Sequence, residues 1–388
     1  MLDVVDLFSE QDTRDELGLA PIRDALSGRL FPGTIVPQTR ARYYLFVPWM
    51  YRELERKRVR SNEVARTARR REGELIEILK RLSDTGVIGR LSGAEIRRLP
   101  SNTYWPGLVD WGIFRLGVSQ DEYHARLDGI YERRTARQLT DDGEPLGSLG
   151  FETWDADIPP PPVGHPETAN FGLSNAEARY LQGRIERSVP QSMLAWLATN
   201  GRSDDLVGRL DYVWEYGRLG DLPDRLRREV DQVRCFSEAV NGAALLYNLL
   251  LSRLAKRDAA IERYVGALAK WGDEIRSRRD AFAAWKLDDF WPLVDGTGHS
   301  ISERARTFVR EWVAWVRSTD WNPTTIDSVR PAALVREREI AVKKLQSRFQ
   351  NPRLLELWGG EAGVGAMDFR WRIARGILAD ILDGLKGN

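Results

Sequence analysis

Apolar positions along this chain recur at helical spacing, and strand-like alternation is scarce. Within the segment 40–60, four apolar residues follow one another at intervals of three and four: Tyr43, Val47, Met50 and Leu54. This spacing places them on one face of a helix, which Thr39 can cap. A second amphipathic helix is predicted over 62–82. We expect Pro48 to kink or restart the first helix, because proline lacks a backbone N–H.

Start signals for helices are clear in the second half of the chain. Ser174 with Glu177, and Ser300 with Glu303, have the spacing of capping boxes. Pro223 marks the start of a long helix that continues to 256. The remaining predicted helices cover 119–139, 257–285, 302–318, 331–349 and 366–385. The sequence therefore predicts an all-α protein, mostly a helical bundle, with room for minor strands in the N-terminal third.

A proline-rich stretch interrupts the helical pattern. Four consecutive prolines at 159–162 fix a polyproline II segment of about 12 Å, which neither a helix nor a central strand accepts. We therefore predict an N-terminal helical domain at 1–140, a connector at 141–168 and a C-terminal helical bundle at 169–388. Trp154 and Phe171 indicate that the connector packs against its surroundings.

The composition is that of a globular protein that does not enter a membrane. Of the 388 residues, 42% are hydrophobic and 30% are charged. The longest uncharged apolar stretch, 239–252, is shorter than the ~18 residues that a bilayer span requires. The first residues carry acids instead of the basic start of a signal peptide. With Cys235 as its single cysteine, the chain is predicted to be cytoplasmic.

Charge is balanced overall but not locally. The chain carries 58 basic and 57 acidic residues, yet residues 40–71 hold eleven cations and three acids. Six arginines of this region are our predicted nucleic-acid-binding residues: Arg40, Arg42, Arg52, Arg56, Arg58 and Arg60. They would bind backbone phosphates, because each neutralised phosphate releases counterions. The alternative is a solvated helix face that pairs with the acid-rich residues 1–24.

Catalytic and metal-binding patterns are missing. His124, His165 and His299 lie far apart without ligand spacing, so we predict no metal, no cofactor and no catalytic residue. The triplet 55–57 matches the E-x-K string of a nuclease, but it lies on a predicted helix and we interpret it as a chance match.

Aromatic residues offer one further candidate. Most of the 14 tryptophans fit core packing. Trp105 and Trp111, however, lie in a glycine-broken region, where an exposed ring could stack on a base.

Several strings resemble one known family. They are DTRDELG at 12–18, FPGT at 31–34, QTRARYYLFVPW at 38–49 and FRW at 369–371. Together they resemble the bacterial domain-of-unknown-function family 6361 along the whole chain, although members of that family begin with an additional segment that this chain lacks. The resemblance transfers no catalytic residue. It implies a DNA-linked accessory role, because such genes lie beside helicases and phospholipase-D-like nucleases in phage-defence islands.

The prediction is therefore a non-catalytic, DNA-linked accessory or adaptor subunit of a bacterial multi-gene system for anti-phage defence. Its expected partners are a protein from the same operon and DNA, bound through backbone phosphates, with no membrane contact. One alternative is a nuclease-like enzyme whose carboxylates come together only in three dimensions. Another is an interaction scaffold that binds protein alone. Three carboxylates in one cleft would favour the enzyme, and a continuous arginine surface would favour DNA.

Overall fold

The structure, a computed structural model, describes residues 15–83, 85–92, 96–136, 152–208, 210–319 and 328–387. These residues form helices joined by turns. Their extended backbone pairs at one isolated antiparallel bridge, between Phe114 and Trp154. The predicted all-α fold class is confirmed.

The described residues contain the following α-helices: α1 (Ala20–Leu30), α2 (Tyr43–Arg56), α3 (Ser61–Leu82), α4 (Pro100–Asp110), α5 (Gln120–Ala136), α6 (Asn175–Ser188), α7 (Met193–Asn200), α8 (Asp224–Leu254), α9 (Asp258–Ser277), α10 (Arg279–Ala284), α11 (Leu287–Asp295), α12 (Glu303–Ser318), α13 (Val329–Lys343), α14 (Pro352–Glu356) and α15 (Trp371–Lys386). Within these residues, no helix has both the length and the apolar character that a bilayer crossing requires.

The chain divides into two compact units. Residues 30–211 and 370–387 belong to the first, and residues 15–29 and 212–369 belong to the second. Of the predicted connector, 141–151 lies outside the described residues. Residues 152–168 belong to the first unit, as do the residues on both sides of the connector.

The core of the first unit is built around α2. Tyr44 stacks on Trp111 with ring centroids 4.0 Å apart, and Gly107 allows this packing because a Cβ there would collide with the Tyr44 ring. Trp105 and Trp111 are both buried, and their indole N–H groups donate to backbone carbonyls. The candidate role of these two rings in base stacking is excluded, because both fill the core.

Two details of α2 refine the prediction. Of the expected kink or restart at Pro48, the restart does not occur, because the helix continues through this residue although an interior proline costs about 3 kcal/mol. Burial of every residue from Tyr43 to Trp49 offsets that cost. Thr39 does not cap the helix; its hydroxyl donates to the Gly86 carbonyl at 2.7 Å.

The second unit is organised on α8, which is buried around most of its circumference, as predicted. Helices α9, α12 and α13 pack on it. Gly242 of α8 lies against the indole of Trp271 in α9, in the space where a Cβ would otherwise stand. The Trp271 N–H donates to the Glu238 carbonyl at 2.7 Å, which fixes the ring in this position.

Of the two predicted capping boxes, only one forms. Ser174 and Glu177 bond reciprocally at the start of α6, as predicted. At the start of α12, the cap is Ser302 and not Ser300, because the Ser302 hydroxyl accepts the Ala305 N–H at 3.3 Å.

Candidate functional site

A cavity of about 740 Å³ opens in the first unit between α2, α3 and residues 158–166. Its charged lining residues are Arg52, Glu53, Arg56, Arg71, Glu72 and Glu74. Its other lining residues include Phe46, Trp49, Met50, Leu75, Ile158, Pro160, Pro161 and His165. The volume is in the range of small-molecule sites, and a mainly apolar wall with a few polar groups is typical of them.

The proline-rich segment forms one wall because α2 binds its backbone. The Trp49 indole N–H donates to the Pro159 carbonyl at 2.6 Å. His165 lies over this part of α2, with its ring stacked on Phe46 at 5.6 Å and edge-on to Trp49 at 5.1 Å. The prolines therefore present their rings to the cavity from a segment fixed at both ends.

Glu72 is the buried acid of this cavity. Its side chain projects from α3 and is 2% exposed. One carboxylate oxygen accepts the Ser101 backbone N–H at 2.6 Å, and the other accepts the Ser101 hydroxyl at 2.8 Å. Burial raises the pKa of the Glu72 carboxyl to about 7, although the bonds from Ser101 lower it in part. A group with this pKa can exchange a proton near neutral pH.

A chain of hydrogen bonds leads away from Glu72 through the core. The Gln120 amide donates to the Ser101 hydroxyl at 2.8 Å and to the Tyr51 hydroxyl at 2.7 Å. The Tyr51 hydroxyl lies 2.9 Å from His124 Nε2. Burial lowers the pKa of His124, which favours the neutral imidazole in this network.

The other two acids of the cavity are neutralised. Arg71 bonds to Glu74 at 3.2 Å and lies 3.8 Å from Glu53, which also pairs with Lys57. Three carboxylates thus share the cavity, but only Glu72 lacks an ion pair among the described residues. In the same residues, no group of three His, Cys, Asp or Glu side chains is placed to hold a metal ion.

Two of the six predicted arginines are structural. Arg40 forms a two-point ion pair with Asp380, with N···O distances of 2.8 and 3.0 Å. Arg42 is buried and bonds to Glu177 at 2.8 Å and to Asn170 at 3.0 Å. The interior holds the Arg42 guanidinium, so this group does not face solvent.

The other four predicted arginines are exposed at the end of α2 and in the turn into α3. We call Arg52, Arg56, Arg58 and Arg60 the arginine surface. Arg58 donates to the Thr135 hydroxyl at 2.5 Å, and Arg52 makes a long bond of 3.4 Å to the Ile158 carbonyl. Arg56 and Arg60 form no side-chain hydrogen bond or ion pair with any residue that the structure describes.

The acids that could pair with the arginine surface are partly outside the described residues, which start at 15. Of those described, Asp15 accepts the backbone N–H groups of Leu19 and Ala20. Glu16 is buried against Lys343 and Arg348 at 3.0 and 2.9 Å. Asp24 pairs with Arg23 at 3.2 Å, so all three described carboxylates are occupied within the second unit.

The nuclease-like triplet at 55–57 does not form an open site. Glu55 is buried and accepts hydrogen bonds from Tyr123, Thr153 and Trp154, and it pairs with Arg134 at 2.9 Å. These four donors make Glu55 a core carboxylate, so the triplet is a chance match, as predicted.

A family model described as Family of unknown function (DUF6361) matches residues 2–384. The chain belongs to this family. The match covers nearly all of the 388 residues and confirms the resemblance seen in the sequence. No curated protein and no solved structure matches the chain. The function of this DUF6361 protein therefore has to be argued from its own geometry.

Glu72 is the site residue of this DUF6361 protein that sequence reasoning missed. The signal was present, because Glu72 falls on the apolar face of α3 between Ala68, Leu75 and Leu79. An acid on the buried face of an amphipathic helix is unusual and indicates a polar partner or a ligand. Most arginines of this helix lie on other faces, so the charge pattern alone does not single out Glu72.

Proposed function

We propose that this DUF6361 protein is a non-catalytic, DNA-linked adaptor subunit that binds the phosphate backbone through its arginine surface. Arg56 and Arg60 are exposed cations that form no side-chain hydrogen bond or ion pair with a described residue, and this observation carries the proposal. In the same proposal, the protein acts in the bacterial cytoplasm as part of a multi-gene anti-phage system, with a protein partner from its operon.

The chemistry of the four side chains suits this role. Guanidinium groups form forked hydrogen bonds to phosphate and keep their charge at every physiological pH. Arg52 and Arg56 are spaced by four residues and share one face of α2. No base-reading motif accompanies them, so binding should show little sequence preference.

The test is the salt dependence of binding to a labelled DNA duplex. Four phosphate contacts predict a log–log slope of about −3.6. Replacing Arg52, Arg56 and Arg60 by Gln should flatten this slope by about three units. A matched control replaces Arg228, Arg304 and Arg353, which are also exposed, and changes the net charge by the same amount.

Equal slopes for the two triple variants would overturn the arginine surface as the DNA contact. Failure of the parent protein to bind DNA at low salt would overturn the DNA-linked role itself. If the protein still copurified with its operon neighbours, the remaining interpretation would be a scaffold that binds protein alone.

One observation favours an enzyme as the second candidate. Glu72 lines a cavity with two other glutamates, and its pKa is raised to about 7, which suits general acid–base chemistry. We would test this candidate by incubating the protein with labelled single-stranded and duplex DNA and Mg²⁺. Cleavage by the parent that is lost in Glu72→Gln and retained in Glu63→Gln would replace the non-catalytic proposal.

A further inference from the structure

The polar groups of the cavity call for a ligand that carries hydrogen-bonding atoms. Each Glu72 oxygen accepts one bond from Ser101 and has a second lone pair available. The Nδ1 atom of His165 is buried and has no hydrogen-bond partner among the described residues. A buried polar atom without a hydrogen bond is unfavourable, and a suitable ligand atom would supply the missing bond.

The walls between these groups favour an uncharged ligand body. Met50, Leu75, Pro160 and Pro161 all line the cavity, and none of these side chains carries a charge. A purely aliphatic ligand would fit the walls but would leave Glu72 and His165 without partners. A planar heterocycle with donors and acceptors on its edge satisfies both requirements.

Besides the buried Glu72, three arginines and two glutamates line the cavity, which leaves an excess of positive charge. Arg71 bonds to Glu74, whereas Arg52 and Arg56 are exposed and form no ion pair with a described residue. An anionic group on the ligand would therefore be held by these two arginines while its heterocycle occupies the interior.

We infer that the cavity binds a single nucleotide, with the base against Glu72 and His165 and the phosphate on Arg52 and Arg56. This inference rests on the proposed function, because the same arginines serve as phosphate ligands. The nucleotide has two sources, a free nucleoside monophosphate or an unstacked residue of single-stranded DNA. Both present the same planar base and the same anionic group.

A cysteine placed in the cavity provides a direct test. Met50 is half-buried in the cavity wall, and Met50→Cys can be labelled with N-ethylmaleimide. The native Cys235 is buried, and burial raises the pKa of its thiol to about 11, so it reacts slowly in the folded protein. A bound base should shield the new thiol. Labelling should slow about tenfold when the deoxynucleoside 5′-monophosphate is at about ten times its Kd.

Matched variants test whether this protection depends on the proposed contacts of the nucleotide with Glu72 and Arg56. In the Met50→Cys background, Glu72→Gln and Arg56→Gln should each weaken protection, measured as the ratio of the labelling rates without and with nucleotide in the same variant. Glu63→Gln, an exposed acid on the same helix, should keep full protection. Ser277→Cys, which is exposed in the second unit, should label at the same rate with and without nucleotide.

The probes separate the ligand sources and control for charge. They are the four deoxynucleoside 5′-monophosphates, deoxyribose 5-phosphate, a single-stranded dodecamer and the same dodecamer with abasic sites. Protection by monophosphates alone assigns a free nucleotide, and protection by the intact dodecamer assigns single-stranded DNA. Equal protection by deoxyribose 5-phosphate, or none by any base-containing probe, overturns the inference.

The experiments distinguish a failure of nucleotide binding in the cavity from a failure of DNA binding by the arginine surface. Duplex binding through the arginine surface needs no open cavity, so maleimide-labelled Met50→Cys should bind duplex with an unchanged salt slope. Normal duplex binding without nucleotide protection rejects the cavity site alone. Nucleotide protection without duplex binding keeps the cavity site and rejects the DNA adaptor.

Discussion

Glu72 accepts both the backbone N–H and the hydroxyl of Ser101, at 2.6 and 2.8 Å. Ser101 stands in the first turn of α4, where backbone N–H groups have no partner within the helix. The carboxylate from α3 therefore caps α4 from outside, and the positive end of the α4 dipole partly compensates its burial. One acid thus joins two helices and faces the cavity.

The raised pKa of Glu72 predicts a specific pH dependence of stability. Its carboxyl has a pKa of about 7 in the folded protein and about 4.5 in the unfolded chain. The folded state therefore binds the proton more tightly, and the stability from this group is complete below about pH 4.5 and lost as the pH rises through 7. The glutamine of Glu72→Gln cannot ionise. Between pH 5 and pH 8, the free energy of unfolding of this variant should therefore rise relative to that of the parent by up to roughly 3 kcal/mol.

Urea unfolding of parent and variant across this pH range measures that difference. Glu63→Gln is the control, since its side chain is exposed. Parallel stability curves for the parent and Glu72→Gln would contradict the buried, proton-binding carboxyl.

Arg42 should affect folding and not DNA binding directly. Arg42→Gln leaves Glu177 as a buried carboxylate without its ion pair, which typically costs about 3 to 5 kcal/mol. Arg60→Gln, by contrast, should change the unfolding free energy by less than about 0.5 kcal/mol. Thermal unfolding of both variants checks this. Equal stability of the two would mean that the buried pair contributes nothing.

Replacing each of two glycines by alanine should change the stability of the protein in opposite directions. Gly242→Ala would place a methyl group against the Trp271 indole, so we expect the free energy of unfolding to fall by about 1 to 3 kcal/mol. Gly266 of α9 has open space around its Cβ position, and Gly266→Ala should gain up to about 1 kcal/mol from helix propensity. Denaturant titration measures both changes. A gain at Gly242 would show that the helices are not in such close contact.

His124 should stay uncharged to a lower pH than an ordinary histidine. Burial lowers its pKa below the ordinary 6.5, and Nε2 shares a hydrogen bond with the Tyr51 hydroxyl. An NMR titration, assigned with His124→Gln, should give a midpoint below 6.5, whereas the urea-unfolded chain should titrate near 6.5. A folded-state midpoint above 6.5 would contradict the neutral, bonded imidazole. Stability from this group is lost as the pH falls, opposite in sign to Glu72.

Local patterns in the sequence predicted much of the fold. The spacing of Tyr43, Val47 and Leu54 located α2, and the Ser174 signature located α6, because both depend on neighbours within one or two turns. The continuation of α2 through Pro48 could not be predicted locally, because burial offsets the cost of the proline and burial depends on distant parts of the chain.

The candidate site was only partly predictable for the same reason. Arg42 and Arg52 look alike in sequence, yet Arg42 meets Glu177, which is 135 positions away, and Arg52 lines the cavity. The cavity needs the proline-rich segment to lie beside α2 and α3, and no local pattern encodes that contact. Glu72 alone gave a local signal, as an acid on an apolar helix face.

The ion pair between Arg40 and Asp380 joins positions that are 340 residues apart within one unit. Helix α15, which carries Asp380, packs on α6 and α7. A ribosome makes residues 212–369 of the second unit after most of the first unit and before α15. The arginine-bearing helices therefore leave the exit tunnel long before α15, although they belong to the same unit. During synthesis, Arg40 stays without its carboxylate partner until α15 has emerged.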